Sequence, residues 1–591
     1  MSQKQRPVRA GGDWSPFGRA GVGVPYDSLE MQASQRTRRR LRLAVALFSV
    51  VFTVLVGRLF NLTILHVPTA NASAQNSAAS AQNSAQSAAE RPDILDRNGR
   101  VLATQIMATT LGIDLDKIRD RDGLIEDLSK ILNPDHLPQL ERARERKGFL
   151  EVANNLSPEQ KRAVLALGNP HLKLEDAPIR VYPSGPVAAH ITGFVGRDQT
   201  GFSGLEYYLD RNELLTEDLQ TSIDINVQHV TRHGLASAIK RYSAKSGTAI
   251  ITDVNSGEII SLVSLPDFDP NRPMRDGGRN HFNKAVSGLY ELGSIFKVFT
   301  VALALDSKSV TQEDVFDTRE PLRVGKYKID DSHGQRRLLT AEEILVYSSN
   351  IGSALLAMEI APDTQQKFWG ELGFFERVKV ELPGRSIPQL PDRLTEINRM
   401  TTSYGHGISV SPLQAISAIS AMVNGGILFE PTLLKTDMPI GHRVIKSETS
   451  AVVRDMMRDV MVRGTGKRAD LDGYRMIGKT GSANIPENGG YAEDKLINSF
   501  VAAFPHEAPR YAIIVVLSEP QGIKETYGLN LAAWNAAPTA SEIIARAGPL
   551  LGIYPNQVKP DVVAQRDGPK QFGKPGKLEE LEEPLLVAGG R

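Results

Sequence analysis

The sequence predicts an α+β multidomain protein with a single N-terminal membrane helix, an extended non-catalytic domain and a larger domain whose antiparallel sheet is flanked by helices. Three observations predict this architecture. The chain has 591 residues, which is too long for one ordinary domain. One apolar run near the N-terminus is long enough to cross a bilayer. In the C-terminal part, strand-like runs at both ends enclose helical segments.

The composition excludes several classes of protein. Hydrophobic residues make up 41% and charged residues 23%, which rules out a largely disordered chain and a protein with many membrane spans. The net charge is only +1, whereas a general nucleic-acid binder carries a clear basic excess. The absence of cysteine excludes a disulfide scaffold and a thiol nucleophile, and it suits an oxidising compartment. The 11 histidines show no zinc-ligand spacing and nothing resembles a phosphate loop, so no metal or cofactor is expected.

The N-terminal part predicts a basic cytoplasmic tail followed by a membrane anchor. Residues 1–42 contain nine basic and three acidic residues, so this tail carries +6 and the remaining chain −5. The predicted anchor, residues 43–65, has Arg58 as its only charge, and its apolar run spans a hydrocarbon core of about 30 Å. A cleaved signal peptide is the alternative, but its apolar core would have only about 7–15 residues. Arginines before the run place the N-terminus in the cytoplasm and the chain after residue 66 outside.

Four segments follow the anchor. Residues 66–90 are rich in Ala, Ser, Asn and Gln, which predicts a flexible stalk. Residues 91–219 mix short strand-like runs with polar helices such as Pro158–Leu167, and they show no catalytic cluster. Residues 220–558 form the larger domain, and residues 559–591 are rich in Pro, Gly, Lys and Glu, which predicts a disordered tail.

The elements of the larger domain follow from the spacing of its apolar residues. Helical spacing marks amphipathic helices, and β-rich runs bounded by turn residues mark strands. In chain order, these patterns predict a strand at 221–225, a helix at 227–242, a hairpin formed by 247–254 and 258–264, a buried strand at 511–517 and a closing helix at 537–547.

The first candidate motif is Gly293-Ser294-Ile295-Phe296-Lys297, at the start of an apolar run that predicts a buried helix. Ser294 and Lys297 are three residues apart, so they face the same side of that helix. A serine hydroxyl becomes a nucleophile when a base lies within hydrogen-bond reach. Lys297 can be that base, because an apolar setting and a helix N-terminus both favour neutral lysine. Gly293 lacks a side chain, so the backbone could approach closely before the helix begins. Taken alone, a Ser-x-x-Lys sequence also occurs by chance.

The second candidate motif is Ser348-Ser349-Asn350, between two predicted helices. The first of these helices opens with the capping-box pair Thr340 and Glu343. Ser348 and Asn350 alternate along the chain, so both can point the same way from a loop. A hydroxyl there can relay a proton and an amide can hold a substrate carbonyl. Taken alone, the motif is better interpreted as an ordinary polar loop.

The third candidate motif is Lys479-Thr480-Gly481-Ser482, within a strand-like run at 474–485. Gly481 lacks a side chain, so a ligand backbone could lie against the strand edge as an added strand. Lys479 supplies positive charge, and the hydroxyls of Thr480 and Ser482 can bind a carboxylate. A glycine bulge in an edge strand is the simpler interpretation of this motif alone.

Together the three motifs resemble the Ser-x-x-Lys, Ser-x-Asn and Lys-Thr-Gly set of penicillin-binding proteins and class A β-lactamases. Ser348 lies 54 residues after Ser294, and Lys479 lies 185 residues after it. Over residues 36–555 the chain resembles the class B penicillin-binding proteins. The resemblance includes the short tail and the single anchor. It also includes the segments Arg91–Gly99, Tyr182–His190, Gly204–Glu206 and Tyr290–Ser294. The residues that depart from the family pattern are Pro92, Leu292 and Ser482. Since Ser482 keeps a hydroxyl, a changed β-lactam affinity is expected rather than lost activity.

This resemblance implies a serine-type D-Ala-D-Ala transpeptidase with a pedestal of the dimerisation type at 91–219 and a transpeptidase domain at 220–558. Ser294 would attack a peptidoglycan stem peptide, and an amine of a neighbouring stem would take the acyl group. β-Lactams would acylate the same serine. The implied oxyanion hole consists of the backbone N–H groups of Ser294 and Ser482. By the same resemblance, Lys297 would be the base, and Ser348 and Lys479 would relay protons. Asn350 would hold the acyl amide. Thr480 and Ser482, beside Gly481, would bind the carboxylate.

The segment Ser403-Tyr404-Gly405-His406-Gly407 resembles the division-type form of the family, which implies work at the division septum. The implied location is the bacterial inner membrane with a periplasmic catalytic domain, and the implied partners are an FtsW-like glycan polymerase and other divisome proteins. Alternatives are an elongation-specific transpeptidase, a hydrolytic relative such as a carboxypeptidase, a membrane β-lactam sensor and a non-catalytic scaffold. A tail of 42 residues cannot hold the signalling part of a sensor, and three intact motifs argue against a scaffold.

Overall fold

The computed structural model describes residues 91–196, 198–214, 216–275, 277–391, 393–487 and 490–555, which belong to one compact unit. The predicted tail 1–42, anchor 43–65, stalk 66–90 and C-terminal tail 559–591 lie outside the described residues. Within the described ranges, no helix combines the length and the apolar character needed to span a membrane.

The first region is built around one long strand. In chain order its elements are β1 (Ile94–Leu95), β2 (Val101–Asp114), α1 (Arg121–Ile131), α2 (Leu137–Glu141), β3 (Phe149–Leu156), α3 (Pro158–Ala166), β4 (Leu172–Val181), α4 (Ala189–Thr192), α5 (Gly204–Arg211) and β5 (Leu219–Gln220). Strand β2 pairs antiparallel with β3 and β4, while β1 joins the start of β2 to β5. The helix predicted at Pro158–Leu167 is confirmed as α3, which begins with a capping box between Ser157 and Gln160.

A buried ionic cluster holds the first region together. Glu206 is fully buried and accepts hydrogen bonds from Arg91 Nε at 2.6 Å and from Arg180 Nε at 2.7 Å. Tyr182 Oη donates to the same carboxylate at 3.3 Å. A buried carboxylate is tolerated when it is paired and hydrogen-bonded. These contacts therefore join the chain before β1 to β4 and α5, and they give a structural role to Arg91 and Glu206, which lie in two segments that resemble the family.

The second region contains the remaining elements. In chain order they are α6 (Ile225–Arg241), β6 (Ser246–Asp253), β7 (Ile259–Leu265), α7 (Phe296–Asp306), β8 (Val315–Asp317), β9 (Leu322–Val324), β10 (Tyr327–Ile329), β11 (Leu338–Thr340), α8 (Ala341–Tyr347), α9 (Asn350–Glu359), α10 (Pro362–Glu371), α11 (Glu396–Thr402), α12 (Pro412–Val423), β12 (Ile427–Phe429), β13 (Gly441–Arg443), α13 (Ser447–Val462), β14 (Ile477–Glu487), β15 (Gly490–Phe504), β16 (Tyr511–Ser518) and α14 (Ala536–Leu550). Five strands form one sheet in the order β14-β15-β16-β6-β7, and every pair is antiparallel. The predicted antiparallel sheet is confirmed.

Both faces of this sheet are buried by helices. Along β16, Ile513 and Val515 pack with α6 and α14 in one core, whereas Ile514 and Val516 pack with α7, α12 and α13 in the other. Successive side chains of a strand point to opposite faces, so a continuous apolar strand feeds both cores. Helix α7 lies inside the second core, where every residue from Phe296 to Ala304 is buried. A helix that is apolar all round requires such a position.

The segment around Asp96 connects the two regions. Asp96 is fully buried, and its Oδ1 accepts from the backbone N–H groups of Asn98 and Arg100 at 2.8 and 2.9 Å. Its Oδ2 accepts from Ile225 N at 3.3 Å, at the first residue of α6. Asn98 Nδ2 donates to Asp224 Oδ2 at 3.0 Å. The Asp-Arg-Asn-Gly segment therefore fixes the start of the first region against the helix that opens the second.

The strand predicted at 221–225 is wrong. Strand β5 ends before this segment, and α6 begins at Ile225. Asp224 caps the helix, because its side chain accepts from the backbone N–H groups of Asn226 and Val227, and a capping aspartate marks a helix start. The hairpin, the buried strand and both helices predicted after this point are confirmed as β6 and β7, β16, α6 and α14.

Candidate active site

Ser294 lies in the 3-10 turn Gly293–Ile295, immediately before the buried helix α7. Gly293 has a φ of 58°, and a Cβ at this position would lie 2.7 Å from the carbonyl oxygen of Ser482. Both observations require glycine, so the close backbone approach expected from the sequence is confirmed. The turn therefore holds Ser294 against β14, the strand that carries the third motif.

Lys297 is fully buried one turn after Ser294. Its Nζ donates to Ser348 O at 2.5 Å, to Asn350 Oδ1 at 2.7 Å and to Ser348 Oγ at 3.3 Å. Burial lowers the pKa of Lys297 to about 7, and the charge of Asp331 opposes this shift only in part. Near pH 7 a large fraction of such a lysine is neutral, so it can accept a proton from a serine hydroxyl.

Ser348 occupies a strained turn between two helices. It ends α8 in a left-handed conformation with φ 61° and ψ 42°. The predicted capping box between Thr340 and Glu343 is confirmed at the start of α8. Ser349 caps the next helix, α9, by accepting from Gly352 N at 2.9 Å. Strained backbone of this kind costs about 1–3 kcal/mol and clusters at functional sites.

Lys479 approaches the same hydroxyl from β14. It is fully buried, and its Nζ donates to Ser348 Oγ at 3.0 Å and to Thr480 O at 2.8 Å. Burial lowers the pKa of Lys479 well below its ordinary value, and the charge of Lys297 lowers it further. Two ammonium groups in one dry site repel each other, which favours a state with at least one neutral lysine. The Ser348 hydroxyl can then pass a proton between them.

The hydroxyls of the third motif lie on the terminal strand of the sheet. Thr480 Oγ1 hydrogen-bonds with Thr465 Oγ1 at 2.8 Å, and Ser482 Oγ accepts from Ala532 N at 3.0 Å. The hydrogen of the Ser482 hydroxyl therefore remains available for a carboxylate. Within the sheet that the described residues form, β14 pairs on one side only, so its other edge can take an added strand.

Gly481 has a different role from the one expected from the sequence. A Cβ at this position would lie 2.2 Å from Leu292 O and 2.6 Å from Ser499 Oγ. The space is therefore filled by the chain just before Gly293 and not by a ligand. Ser499 Oγ donates to Leu292 O at 3.0 Å, which fixes the same contact from β15. Gly481 sets how closely β14 approaches the turn that carries Ser294.

The loop formed by residues 403–407 packs against the same turn. Gly405 has a φ of 83°, and a Cβ there would lie 2.2 Å from Gly293 O. Gly407 N donates to Glu291 Oε1 at 3.0 Å, three residues before Ser294. The loop therefore lies beside the turn that carries Ser294.

Asp331 organises the second motif, and sequence reasoning missed it. Its carboxylate is 8% exposed and accepts from Ser349 Oγ at 2.6 Å, from Asn350 N at 2.5 Å and from Ile351 N at 3.0 Å. A carboxylate is favourable at a helix N-terminus, here that of α9. The neighbouring Asp330 O accepts from Asn350 Nδ2 at 3.1 Å. The only sequence signal was an Asp-Asp pair 18 residues before Ser349, which alone indicates a turn.

All the site residues predicted from the sequence lie on three segments that meet at the N-terminal end of α7. Direct hydrogen bonds link the second motif to the lysines of the first and third motifs. A nucleophile at a helix start, a lysine of lowered pKa and a bridging hydroxyl together suit acyl transfer through a serine ester.

Comparisons with known proteins agree with this geometry. Residues 247–544 match the family described as the penicillin binding protein transpeptidase domain, and residues 86–222 match the penicillin-binding protein dimerisation domain. A probable peptidoglycan D,D-transpeptidase FtsI of Caulobacter vibrioides is 34% identical over 81% of this chain and 84% of its own length. The peptidoglycan D,D-transpeptidase FtsI of Escherichia coli is 28% identical over 73% of this chain and 79% of its own length. The stage V sporulation protein D of Bacillus subtilis is 28% identical over 90% of this chain and 89% of its own length.

A solved structure shows the same fold for the second region. The transpeptidase domain of penicillin-binding protein 3 from Burkholderia pseudomallei has a TM-score of 0.52 and 32% identity, and the match covers 57% of this chain and 98% of that domain. The two domain matches, the sequence similarity to the Caulobacter protein and the three motifs at one site agree. This chain belongs to the class B penicillin-binding proteins.

Proposed function

We propose that this protein is a peptidoglycan D,D-transpeptidase that cross-links stem peptides at the division septum and is acylated by β-lactams at Ser294. The observation that carries the proposal is the buried hydrogen-bonded path from Lys297 through Ser348 to Lys479, one helical turn from Ser294. The transpeptidase and dimerisation domains support it, as do the relatives named peptidoglycan D,D-transpeptidase.

Acylation begins when neutral Lys297 takes the proton of Ser294 Oγ. The oxygen attacks the carbonyl carbon between the last two D-Ala residues of the donor stem. The backbone N–H groups of Ser294 and Ser482 hold the negative charge that develops on the carbonyl oxygen. The C–N bond breaks as a proton reaches the leaving nitrogen through the Ser348 hydroxyl, which Lys297 and Lys479 both contact. D-Ala leaves, and the donor remains as an ester on Ser294.

The remaining predicted residues bind the donor. Asn350 accepts from Lys297 through Oδ1 and donates one Nδ2 hydrogen to Asp330 O, so the second hydrogen can bind the amide carbonyl of the acyl chain. The hydroxyls of Thr480 and Ser482 bind the terminal carboxylate. These groups orient the carbonyl toward Ser294 before chemistry begins.

Transfer completes the reaction. The amine of a neighbouring stem attacks the ester carbonyl, a C–N bond forms, and the bond between the carbonyl carbon and Ser294 Oγ breaks. The amine loses one proton and Ser294 Oγ gains one, and Lys297 can carry it because both positions lie at the same end of α7. The product is a cross-link, and the enzyme returns to its starting state.

The proposal includes an anchor in the bacterial inner membrane, a periplasmic catalytic domain and an FtsW-like glycan polymerase as partner. The apolar run 43–62, the division-type loop 403–407 and the relatives named FtsI support it. Depletion in the native cell should give long or branched cells that do not divide. Round cells that still form septa would instead indicate an elongation role. A reporter fused after residue 591 that is active only in the cytoplasm would contradict the orientation.

The activity is tested with the full-length protein in detergent, a pentapeptide donor and an amine acceptor. We expect D-Ala release and a cross-linked product that requires the acceptor, and Ser294→Ala should abolish both. Peptide mapping after labelling with penicillin should find the label on Ser294. Hydrolysed donor as the sole product at every acceptor concentration would favour a carboxypeptidase, and a label on Ser348 or Ser482 would overturn the assignment of the nucleophile.

A further inference from the structure

The hairpin formed by β9 and β10 lies in a basic part of the chain. Residues 319–337 contain six lysines or arginines and three acidic residues, whereas the whole chain carries a net charge of only +1. The two strands pair antiparallel, and Gly325 and Lys326 form the turn between them. We call the segment Leu322–Ile329 the basic hairpin.

Two cations face each other across the basic hairpin. Arg323 on β9 lies directly opposite Lys328 on β10, and both side chains are exposed. Like charges at such positions destabilise a strand pair. Lys328 Nζ lies 2.9 Å from Asp330 Oδ2, but the same carboxylate also pairs with Arg336 at 2.9 Å. Within the described part of the chain no carboxylate forms an ion pair with Arg323, so its charge is left uncompensated.

The turn of the basic hairpin adds another cation. Lys326 Nζ lies 5.3 Å from the centroid of the Tyr327 ring, and 51% of Tyr327 is exposed. Contact with a ring face orients an ammonium group and leaves N–H groups free for an anion. Lys326 is exposed and, like Arg323, forms no ion pair with a carboxylate of the described residues. Both cations are therefore available to an anionic ligand.

The other face of the basic hairpin is packed. Ile329 is buried in a small core with Met400 and Tyr404, and Leu322 and Val324 pack against the same core. Successive side chains of a strand point to opposite faces, so the two opposed cations point away from this core. Tyr404 belongs to the loop that packs against the turn of the nucleophile. The basic hairpin is therefore fixed against an element of the active site.

Strand β10 leads directly into the residues that hold the second motif. Lys328 is two residues before Asp330, whose carbonyl oxygen accepts from Asn350 Nδ2 at 3.1 Å. Two residues of extended chain span at most about 7 Å, so the hairpin begins close to this contact. Ser348 of the same motif accepts from Lys479 Nζ of β14 at 3.0 Å. The second motif therefore faces β14 across the site, and the basic hairpin borders the wall opposite β14.

This position indicates which substrate strand meets the basic hairpin. In the proposed reaction the donor stem lies along the edge of β14, and the acceptor strand needs a separate surface. A strand of uncross-linked stems carries several carboxylates, including the terminal one of each stem. Its negative charge complements the unpaired cations of the hairpin, and complementary charge steers and orients a partner.

We propose that the basic hairpin is a docking surface for the acceptor peptidoglycan strand, whose stem carboxylates bind Arg323 and Lys326. The inference rests on the proposed function. A guanidinium binds a carboxylate through two parallel N–H groups, whereas an ammonium acts as a point charge. A bound carboxylate also offsets the repulsion between Arg323 and Lys328. No covalent bond changes at this surface.

The test measures binding of soluble uncross-linked peptidoglycan strands to the full-length protein in detergent after penicillin has acylated Ser294. Acylation blocks the donor position, so the remaining binding reports a second surface. The variant combines Arg323→Gln with Lys326→Gln. The matched control combines Lys240→Gln with Lys308→Gln, which removes two exposed cations elsewhere. Strands whose carboxylates have been amidated are the ligand control.

We expect the hairpin variant to weaken strand binding at least fivefold and the matched control to stay within twofold. Amidated strands should bind the wild-type protein at least fivefold more weakly than free-carboxylate strands. The KM of the donor for D-Ala release should stay within twofold in the hairpin variant. Its midpoint of urea unfolding should not fall, because the substitution removes a like-charge pair.

Three results would overturn the proposal. Strand binding that disappears on acylation would place the strand in the donor cleft. Equal losses in the hairpin variant and the matched control would indicate general charge attraction. Unchanged strand binding in the hairpin variant, with lost binding to phosphatidylglycerol vesicles, would assign the cations to a membrane surface. Wild-type protein that releases D-Ala without transfer would contradict the proposed function, and the binding comparison would still test the hairpin because it requires no transfer.

Discussion

Two buried lysines share one hydroxyl in this active site. Ser348 Oγ lies 3.3 Å from Lys297 Nζ and 3.0 Å from Lys479 Nζ. Burial lowers the pKa of both lysines, and the charge of Lys297 lowers the pKa of Lys479 further. In the proposed mechanism, the protonation state of Lys297 therefore decides whether a base is available to Ser294.

Acylation by a labelled penicillin should rise with pH through about 7, the value to which burial lowers the pKa of Lys297. Below this pH the lysine is an ammonium ion and cannot take a proton, and above it the neutral amine can. Lys297→Ala should reduce the acylation rate by about 10²–10⁴-fold and remove the rise. The exposed Lys308 serves as control, because Lys308→Ala should leave the profile unchanged. A Lys297→Ala rate within tenfold of wild type would mean that another group is the base.

Asp331→Asn should destabilise the fold around the second motif and shift the pH dependence of acylation to lower pH. The carboxylate accepts three hydrogen bonds at the start of α9, and bonds to a buried charge each contribute about 1.5–3 kcal/mol. We expect the free energy of unfolding to fall by about 2 kcal/mol in urea denaturation. The charge of Asp331 raises the pKa of Lys297, so its loss should move the acylation midpoint to lower pH. Asp330→Asn is the control, since its side chain pairs with Lys328 and Arg336. An unchanged midpoint in Asp331→Asn would contradict this role.

At the scale of elements, glycines let three segments converge on the nucleophile. Gly293 precedes Ser294, Gly405 belongs to the loop before α12, and Gly481 lies on β14. A Cβ at each position would lie between 2.2 and 2.7 Å from a backbone oxygen of another segment. Real Cβ atoms do not tolerate such contacts with backbone, so a side chain at any of these positions would push the segments apart.

Two glycines of one loop provide a matched test of this convergence. Gly405 and Gly407 have φ values of 83° and 73°, so alanine strains the backbone at both. A Cβ on Gly405 would meet Gly293 O at 2.2 Å, whereas a Cβ on Gly407 would have Thr401 Oγ1 at 3.8 Å as its nearest neighbour. We expect penicillin acylation to fall at least tenfold in Gly405→Ala and to stay within about threefold in Gly407→Ala, which carries only a backbone strain of about 1 kcal/mol. Equal losses in both variants would show that backbone strain alone matters.

At the scale of the whole molecule, two buried polar clusters join the segments on either side of β1 to later parts of the fold. Glu206 joins the chain before β1 to β4 and α5 through two arginines, and Asp96 joins the chain after β1 to the start of α6. Both carboxylates are fully buried. Glu206 therefore fixes parts of the first region to one another, and Asp96 fixes the first region against the second.

Glu206→Gln should destabilise the protein strongly, because it leaves Arg91 and Arg180 without their shared charge. Removing one partner of a buried ion pair costs about 3–5 kcal/mol. The exposed Glu159→Gln is the control and should change the free energy of unfolding by less than about 0.5 kcal/mol. Denaturant unfolding monitored by circular dichroism measures both variants. A Glu206→Gln loss below about 1 kcal/mol would show that water or movement compensates for the missing charge.

The sequence by itself predicted four of the five strands of the antiparallel sheet and the helices α6, α7, α8, α9 and α14, because apolar periodicity and capping residues act over a few neighbouring positions. It did not predict β15 or the helices α10 to α13. The capping box of Thr340 and Glu343 and the apolar run of α7 are examples. The same local rules failed at 221–225, where the cap formed by Asp224 outweighed β propensity. The three motifs were also readable, since each is contiguous and their order is diagnostic.

Only the tertiary structure decided how these motifs work together. The bond between Lys479 and Ser348 joins residues 131 positions apart, and the contact between Lys297 and Ser348 joins residues 51 positions apart. The lowered pKa of Lys297 depends on burial, and burial is a property of all the elements packed around α7. The anchoring of Asn350 by Asp331 and the contact of Gly481 with Leu292 arise in the same way, because chain reversals bring them together and no local pattern records such contacts.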